Sequence, residues 1–137
     1  MLIQPYLFFE GRCDEAIEFY RKAVGAEVVM LMRYKDCPDP AQCKPETLDK
    51  VMHAAFKVGD SVVLASDGYC NEADRKFEGF SLTLNVQSDA DAQRYFAALS
   101  EGGKVTMPMD KTFFASSFGM LHDRFGVGWM VIKPTHP

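Results

Sequence analysis

Cysteine and histidine have the strongest ligand and nucleophile chemistry in this chain, and the spacing of the cysteines favours neither role. The four cysteines are Cys13, Cys37, Cys43 and Cys70. Cys37 and Cys43 are separated by five residues, which is wider than a usual zinc pair, and no second Cys/His pair accompanies them. A reactive thiol needs a basic partner, and the sequence indicates none. The opening residues lack a secretory pattern, so we expect free thiols and a cytoplasmic protein.

His53 is the histidine most suited to a site. It lies in an alternating segment, residues 50–58, whose other face carries the better set of core residues: Met52, Ala54, Phe56 and Val58. His53 is therefore expected to face a cavity as a half-buried histidine that is hydrogen-bonded to a neighbour. A ligand contact or a general base is the alternative. We expect His122 and His136 to be solvated.

Serine and carboxylate residues form no recognisable catalytic pattern. Ser116 and Ser117 lack the Gly-x-Ser-x-Gly frame of a nucleophile elbow. Glu10 follows the first predicted strand and is a candidate carboxylate at a cavity rim. Three aspartates fall at strand ends or turns, where aspartate commonly forms turns: Asp67, Asp110 and Asp123.

Two predicted helices and eight predicted strands position these residues. An apolar stripe predicts a helix over 13–24 that ends at Gly25. Ser88 as an N-cap, followed by a second stripe, predicts a helix over 89–100. Strand patterns occupy residues 3–9, 26–35, 50–58 and 61–66, and then 80–86, 104–110, 115–122 and 128–133.

The resulting order, βαβββ followed by βαβββ, indicates an internal repeat. A shift of 76 residues aligns the two helices, with Ala16, Phe19 and Tyr20 matching Ala92, Tyr95 and Phe96. We expect one cooperative domain over 1–137, with modules at about 1–67 and about 79–134.

Composition excludes several classes of protein. The chain has 137 residues, of which 47% are hydrophobic and 25% charged, as in globular domains. The net charge of −4 and the lack of a basic cluster exclude a nucleic-acid binder. No apolar run reaches the roughly 18 residues that a membrane span needs.

Motifs along the whole chain resemble one family. The chain opens with Pro5-Tyr6-Leu7-Phe8-Phe9-x-Gly11-x-Cys13-x-Glu15-Ala16-Ile17-x-Phe19-Tyr20. It ends with Thr112-Phe113-Phe114, Phe118-Gly119-Met120 and Asp123-Arg124-Phe125-Gly126-Val127-x-Trp129-Met130. This set resembles the PhnB-like branch of the vicinal oxygen chelate superfamily, the glyoxalase and bleomycin-resistance fold.

The resemblance implies an α+β fold of two tandem βαβββ modules. Each module forms a curved half-barrel sheet with its helix on the outer face and a cavity inside. The resemblance also implies homodimers and, in some members, a metal held by His, Gln or Glu. The matching positions here carry Gln4 or Pro5, Ser81 and Met130, and the predicted strand 61–66 offers no carboxylate or imidazole. We expect no metal, since Gln4 alone is too weak a ligand, and no other cofactor. Members are often named after a methyltransferase, but no Gly-rich loop follows the first strand.

The expected cavity is aromatic and rich in methionine, with a few hydrogen-bonding groups. We expect metal-independent binding of a small apolar or aromatic molecule there. The alternatives are a metal-dependent lyase, isomerase or dioxygenase around Gln4 and His53, and a structural or regulatory dimer with a filled cavity. The predicted lining residues are Gln4, Tyr6, Phe8, His53, Ser81, Thr83, Asn85, Phe113, Phe114, Met120 and Met130.

Overall fold

The chain forms two compact units, Met1–Arg75 and Lys76–Pro137. The computed structural model describes residues 1–37, 45–68 and 76–135. Residues 38–44, 69–75 and 136–137 lie outside the described residues, and they include Cys43, Cys70 and His136. Among the described residues, no helix is long and apolar enough to cross a membrane.

The first unit is a four-stranded mixed sheet covered by one helix. Its elements are β1 (Tyr6–Phe8), α1 (Cys13–Val24), β2 (Glu27–Arg33), β3 (Val51–Val58) and β4 (Ser61–Ser66). The strand order is β1-β4-β3-β2. β1 and β4 are parallel, whereas the hairpin-linked strands are antiparallel. Parallel pairing of the first and last strands brings distant parts of the unit together.

The second unit repeats this topology. Its elements are β5 (Leu82–Asn85), α2 (Asp89–Ser100), β6 (Lys104–Asp110), β7 (Ala115–His122) and β8 (Gly128–Pro134). The order β5-β8-β7-β6 corresponds strand for strand to the first sheet. Both ends of α2 lie 76 residues after those of α1, so the predicted repeat is confirmed.

Each helix buries its predicted stripe against its own sheet. Tyr20 of α1 is fully buried and stacks on Phe56 of β3, with 5.6 Å between ring centroids. Gly25 ends α1 in the left-handed region, at φ 72°, which glycine adopts without a Cβ penalty. Ser88 caps α2 by accepting a hydrogen bond from the Asp91 amide at 3.0 Å.

One face of each sheet packs on the helix and the other is open. In β1, Leu7 is buried, while Tyr6 and Phe8 remain 39% and 38% exposed. In β7, the buried Leu121 follows the partly covered Met120. In β8, the buried Val131 lies between the partly covered Met130 and Ile132. Because side chains alternate along a strand, the open faces hold the residues available to a ligand.

Candidate functional site

The open face of the first unit carries a hydrogen-bonded tyrosine–histidine pair. The Tyr6 hydroxyl lies 2.9 Å from His53 Nδ1, and the Tyr6 ring is 4.9 Å from the Phe8 ring, centroid to centroid. The two partners come from β1 and β3, which are joined through β4. The parallel β1–β4 pairing therefore brings together two residues that lie far apart in the sequence.

The electrostatics of this pair keep the phenol protonated. Partial burial raises the pKa of Tyr6 above its usual value. His53 is half-buried and hydrogen-bonded to Tyr6, as the interpretation of a histidine bonded to a neighbour requires. The same position on the open face also suits contact with a ligand.

Methionine and aliphatic side chains extend this face across the sheet. Tyr6 pairs with Leu64, Leu64 with Ala55, and Ala55 with Met30, so the four share one face. Gln4 is half-buried and lies two residues before β1, and the carbonyl of the intervening Pro5 accepts from the Leu64 amide. Glu10, the candidate rim carboxylate, is half-buried and lies against Gly68.

The open face of the second unit is a regular grid of side chains. Its central row runs from Thr83 through Met130 and Met120 to Met107, each the register partner of the next. A second row contains Asn85, Ile132 and Phe118. This face therefore has a floor of methionine side chains, with polar residues on β5.

An aromatic cluster borders this grid. Phe114 contacts both Phe113, at 5.1 Å between ring centroids, and Phe118, at 5.3 Å. Phe113 is 95% exposed and Phe114 is 41% exposed. Sequence reasoning selected Phe113 and Phe114 but missed Phe118, although extending the alternation of Met120 by two residues would have found it.

A polar group lies at the end of the same face. A Cβ added to Gly128 would lie 2.8 Å from Ser81 Oγ and 3.5 Å from His122 Nε2, so both side chains converge over this glycine. His122 also pairs in register with Lys104. His122 is exposed, as expected, but it is the last residue of β7 and shares a face with Met120.

Two further candidate groups serve the fold. Ser116 and Ser117 both donate to Asp89 Oδ1, at 2.6 and 2.7 Å, and these bonds lower the pKa of Asp89 at the start of α2.

Cys13 is fully buried, and its burial, followed by the nearby charge of Asp67, raises the pKa of its thiol. A thiol held in this way is a poor nucleophile. Cys37 is also free.

The donor set at the family's metal positions does not fit a divalent ion. Ser81 offers a hydroxyl, Met130 a thioether and Gln4 an amide, whereas strong sites combine imidazole, thiolate or carboxylate ligands. Met130 lies in register between Thr83 and Met120, with no carboxylate in that row. Within residues 1–37, 45–68 and 76–135, no cluster of three or more His, Cys, Asp or Glu suits a metal.

The structure thus places the predicted residues on two open faces. Tyr6, Phe8 and His53 come together on the first, and Thr83, Met120 and Met130 on the second. Asn85, Phe114 and Ser81 lie near the second group, whereas Phe113 is almost fully solvated. A single cavity lined by all eleven residues remains a prediction.

Comparison with known proteins supports the resemblance over nearly the whole chain. The family model described as 3-demethylubiquinone-9 3-methyltransferase matches residues 2–132. Protein YjdN of Escherichia coli K12 is 32% identical over 139 aligned positions, covering 96% of this chain and 94% of that protein.

Comparison with solved structures supports the same resemblance. Protein PA1353 of Pseudomonas aeruginosa is 43% identical, with 98% of both chains covered and a TM-score of 0.86. The PhnB protein of Bacillus cereus is 26% identical, covers 97% of this chain and 99% of its own, and has a TM-score of 0.80. The fosfomycin resistance protein FosX of Mesorhizobium loti shares the fold, with 14% identity, coverage of 99% and 93%, and a TM-score of 0.63. The chain therefore belongs to the 3-demethylubiquinone-9 3-methyltransferase family, within the PhnB-like branch of the vicinal oxygen chelate superfamily.

Proposed function

We propose that this protein binds a small apolar or aromatic molecule on the open face of its first sheet, without a metal. The Tyr6–His53 hydrogen bond carries the proposal, because it holds a polar pair in a fixed geometry beside the Phe8 ring. Apolar surface with a few fixed hydrogen-bonding groups is typical of small-molecule sites. The free thiols of Cys13 and Cys37 fit the expected cytoplasmic location.

The Tyr6–His53 pair also defines which hydrogen-bonding group a preferred ligand carries. A protonated phenol donates to His53 Nδ1, since the imidazole nitrogen is the better acceptor, and this leaves the ring proton on Nε2. The imidazole then presents an N–H donor. The preferred ligand is therefore an aromatic compound with a hydrogen-bond acceptor such as a carbonyl oxygen.

Acetophenone and ethylbenzene test this proposal, because they differ mainly in the carbonyl group. We expect acetophenone to bind more tightly, by about three- to tenfold, the worth of one modest hydrogen bond. Tyr6→Phe keeps the ring but releases the histidine tautomer, so it should reduce that preference. Titrations followed by amide NMR shifts measure both dissociation constants.

Tyr95→Phe is the matched control, since Tyr95 lies on α2 with the Arg94 guanidinium over its ring. The preference of this variant for acetophenone over ethylbenzene should equal that of the unmodified protein. Failure of both compounds to bind, or equal preferences in the Tyr6→Phe variant and the unmodified protein, would contradict the proposal. A Tyr6→Phe variant that loses ethylbenzene binding as well would show that the ring packing, not the hydrogen bond, had changed.

We also propose that the chain forms a homodimer through its exposed apolar edge. β2 is an edge strand, and its Val28, Val29 and Met30 are 48%, 61% and 40% exposed. Such edges tend to pair with another chain. Sedimentation should show a dimer that Val29→Lys converts to a monomer. Phe113→Ser, which removes an exposed apolar group elsewhere, should leave the dimer intact; the reverse pattern would move the interface away from β2.

A further inference from the structure

We propose that the second sheet binds the carboxylate group of a small organic acid at Ser81, His122 and Lys104. The register places these residues at one end of the open face: His122 pairs with Lys104 on one side and with Gly128 on the other. Ser81 lies on the far side of Gly128, with its hydroxyl turned toward that glycine. The three side chains therefore form one row across the sheet.

Gly128 is what allows the hydroxyl and the imidazole to converge. Any Cβ at this position would lie 2.8 Å from Ser81 Oγ, which is closer than real Cβ contacts come. The same atom would lie 3.5 Å from His122 Nε2. With glycine there, the Ser81 hydroxyl and the His122 ring nitrogen both lie close to the space that a side chain of residue 128 would fill.

Lys104 supplies the charge. It is exposed, and among the described residues no carboxylate lies within ion-pair range of its ammonium group. Hydrogen bonds that involve an ionised group are stronger than neutral ones. One ammonium matches a singly charged carboxylate, whereas a phosphate dianion calls for more positive charge than this acidic chain, with a net charge of −4, places here.

The rest of the ligand is defined by the neighbouring row. Met130, Met120 and Met107 lie one step along the same face, and the thioether side chains adapt to irregular apolar shapes. A carboxylate at the polar end would place its hydrocarbon part over this methionine floor. All of these residues belong to the second unit, whereas Tyr6 and His53 belong to the first.

Hexanoate and hexan-1-ol test the proposal, because they share a hydrocarbon chain and differ in the charged group. In NMR titrations we expect hexanoate to shift the amides around Gly128 and to bind at least about tenfold more tightly than hexan-1-ol, which corresponds to about 1.4 kcal/mol. Lys104→Gln should weaken hexanoate binding by about five- to tenfold and leave hexan-1-ol unchanged. Lys111→Gln, just beyond β6, is the matched control and should change neither.

Two variants test the arrangement of Ser81 and His122 around Gly128 separately from folding. Gly128→Ala forces the Ser81 hydroxyl away and should weaken hexanoate binding, while Gly128→Ala with Ser81→Ala relieves the collision but does not restore binding. Hexanoate binding that is unchanged in Lys104→Gln and in Ser81→Ala would overturn the proposal, as would its absence in the unmodified protein. Saturation of the same amides by inorganic phosphate at lower concentration would overturn the assignment to a carboxylate. His53→Ala should retain hexanoate binding, so this test stands apart from that of the first sheet.

Discussion

At the scale of single residues, two buried aspartates stabilise the connections between strands. Asp67 is fully buried and accepts from the Gly11, Cys13 and Val51 amides at 2.9, 2.7 and 2.8 Å. Asp123 accepts from two amides and from the Trp129 indole nitrogen. The sequence predicts turn formers at these positions. The structure adds that each carboxylate ties the turn to other elements, which position in the sequence does not reveal.

Asp67→Ala should destabilise the protein by about 3 kcal/mol or more, since two buried amides and one partly buried amide lose their acceptor. Asp67→Asn keeps one acceptor oxygen and should cost about half as much. Urea unfolding measures both, with Asp60→Ala in the exposed β3–β4 turn as the control. An Asp67→Ala variant as stable as that control would show that water replaces the carboxylate.

The ion pair between Asp14 and Arg33 predicts that the stability of the protein depends on pH. Arg33 binds the carboxylate through two nitrogens, at 2.8 and 2.9 Å, and these hydrogen bonds hold the pKa of Asp14 below its usual value. A lowered folded-state pKa stabilises the protein above the unfolded pKa of about 3.9, and this contribution is lost as pH falls through the folded value.

Asp14→Asn should therefore destabilise the protein near neutral pH and lose its effect in acid. The Asp14 side chain is 55% exposed, so solvent screening limits the difference to about 0.5 kcal/mol. Chemical unfolding at neutral and acidic pH measures it. A deficit of the same size at both pH values would assign the effect to packing instead of charge.

At the scale of elements, local patterns predicted the helices and the order of elements along the chain correctly, but not the contacts between strands. Both helices begin and end where their stripes and caps predict. The register shifts between β2 and β3 and between β6 and β7 were not predicted from these local patterns. The Tyr6–His53 pair was equally hidden, because it depends on the pairing of β1 with β4, whose residues lie far apart in the chain. The place of His122 beside Ser81 depends on register in the same way.

Helix α2 packs so closely on β7 that one methyl group should disturb it. A Cβ at Gly119 would lie 2.6 Å from the Phe96 ring. Gly119→Ala should therefore cost about 1–3 kcal/mol through overpacking. Thermal and urea unfolding measure the loss.

A second substitution shows whether the ring is the cause. Phe96→Leu shortens the side chain above Gly119, so the double variant should recover part of the stability that Gly119→Ala loses. A double-mutant cycle gives the coupling energy. Strict additivity would show that the alanine acts through the strand backbone and not through the ring.

At the scale of the whole molecule, the two units repeat one topology, and the sequence predicts that they unfold together. The single tryptophan, Trp129, is buried in the second unit, so its fluorescence reports on that unit. Phe56→Leu weakens the core of the first unit by about 1 kcal/mol. If the chain is one cooperative domain, this substitution lowers the midpoint of the Trp129 transition.

Leu121→Ala, in the core of the second unit, is the comparison, and it should lower the same midpoint. A Trp129 transition that responds to Leu121→Ala but ignores Phe56→Leu would show two units that unfold independently. Circular dichroism, which reports on both units, would then show two steps.

The shortness of β1 has a consequence for how long the first open face keeps its arrangement. β1 has three residues and, within the part of the chain that the structure describes, it pairs with β4 alone. Short edge strands open locally at a small fraction of the global unfolding free energy. Each opening carries Tyr6 away from His53, so the pair exists only while the strand is closed. The Leu64 amide, bonded to the Pro5 carbonyl, counts these openings through its rate of hydrogen exchange. A bound ligand that bridges β1 and β3 would slow that exchange and hold the end of the chain in place.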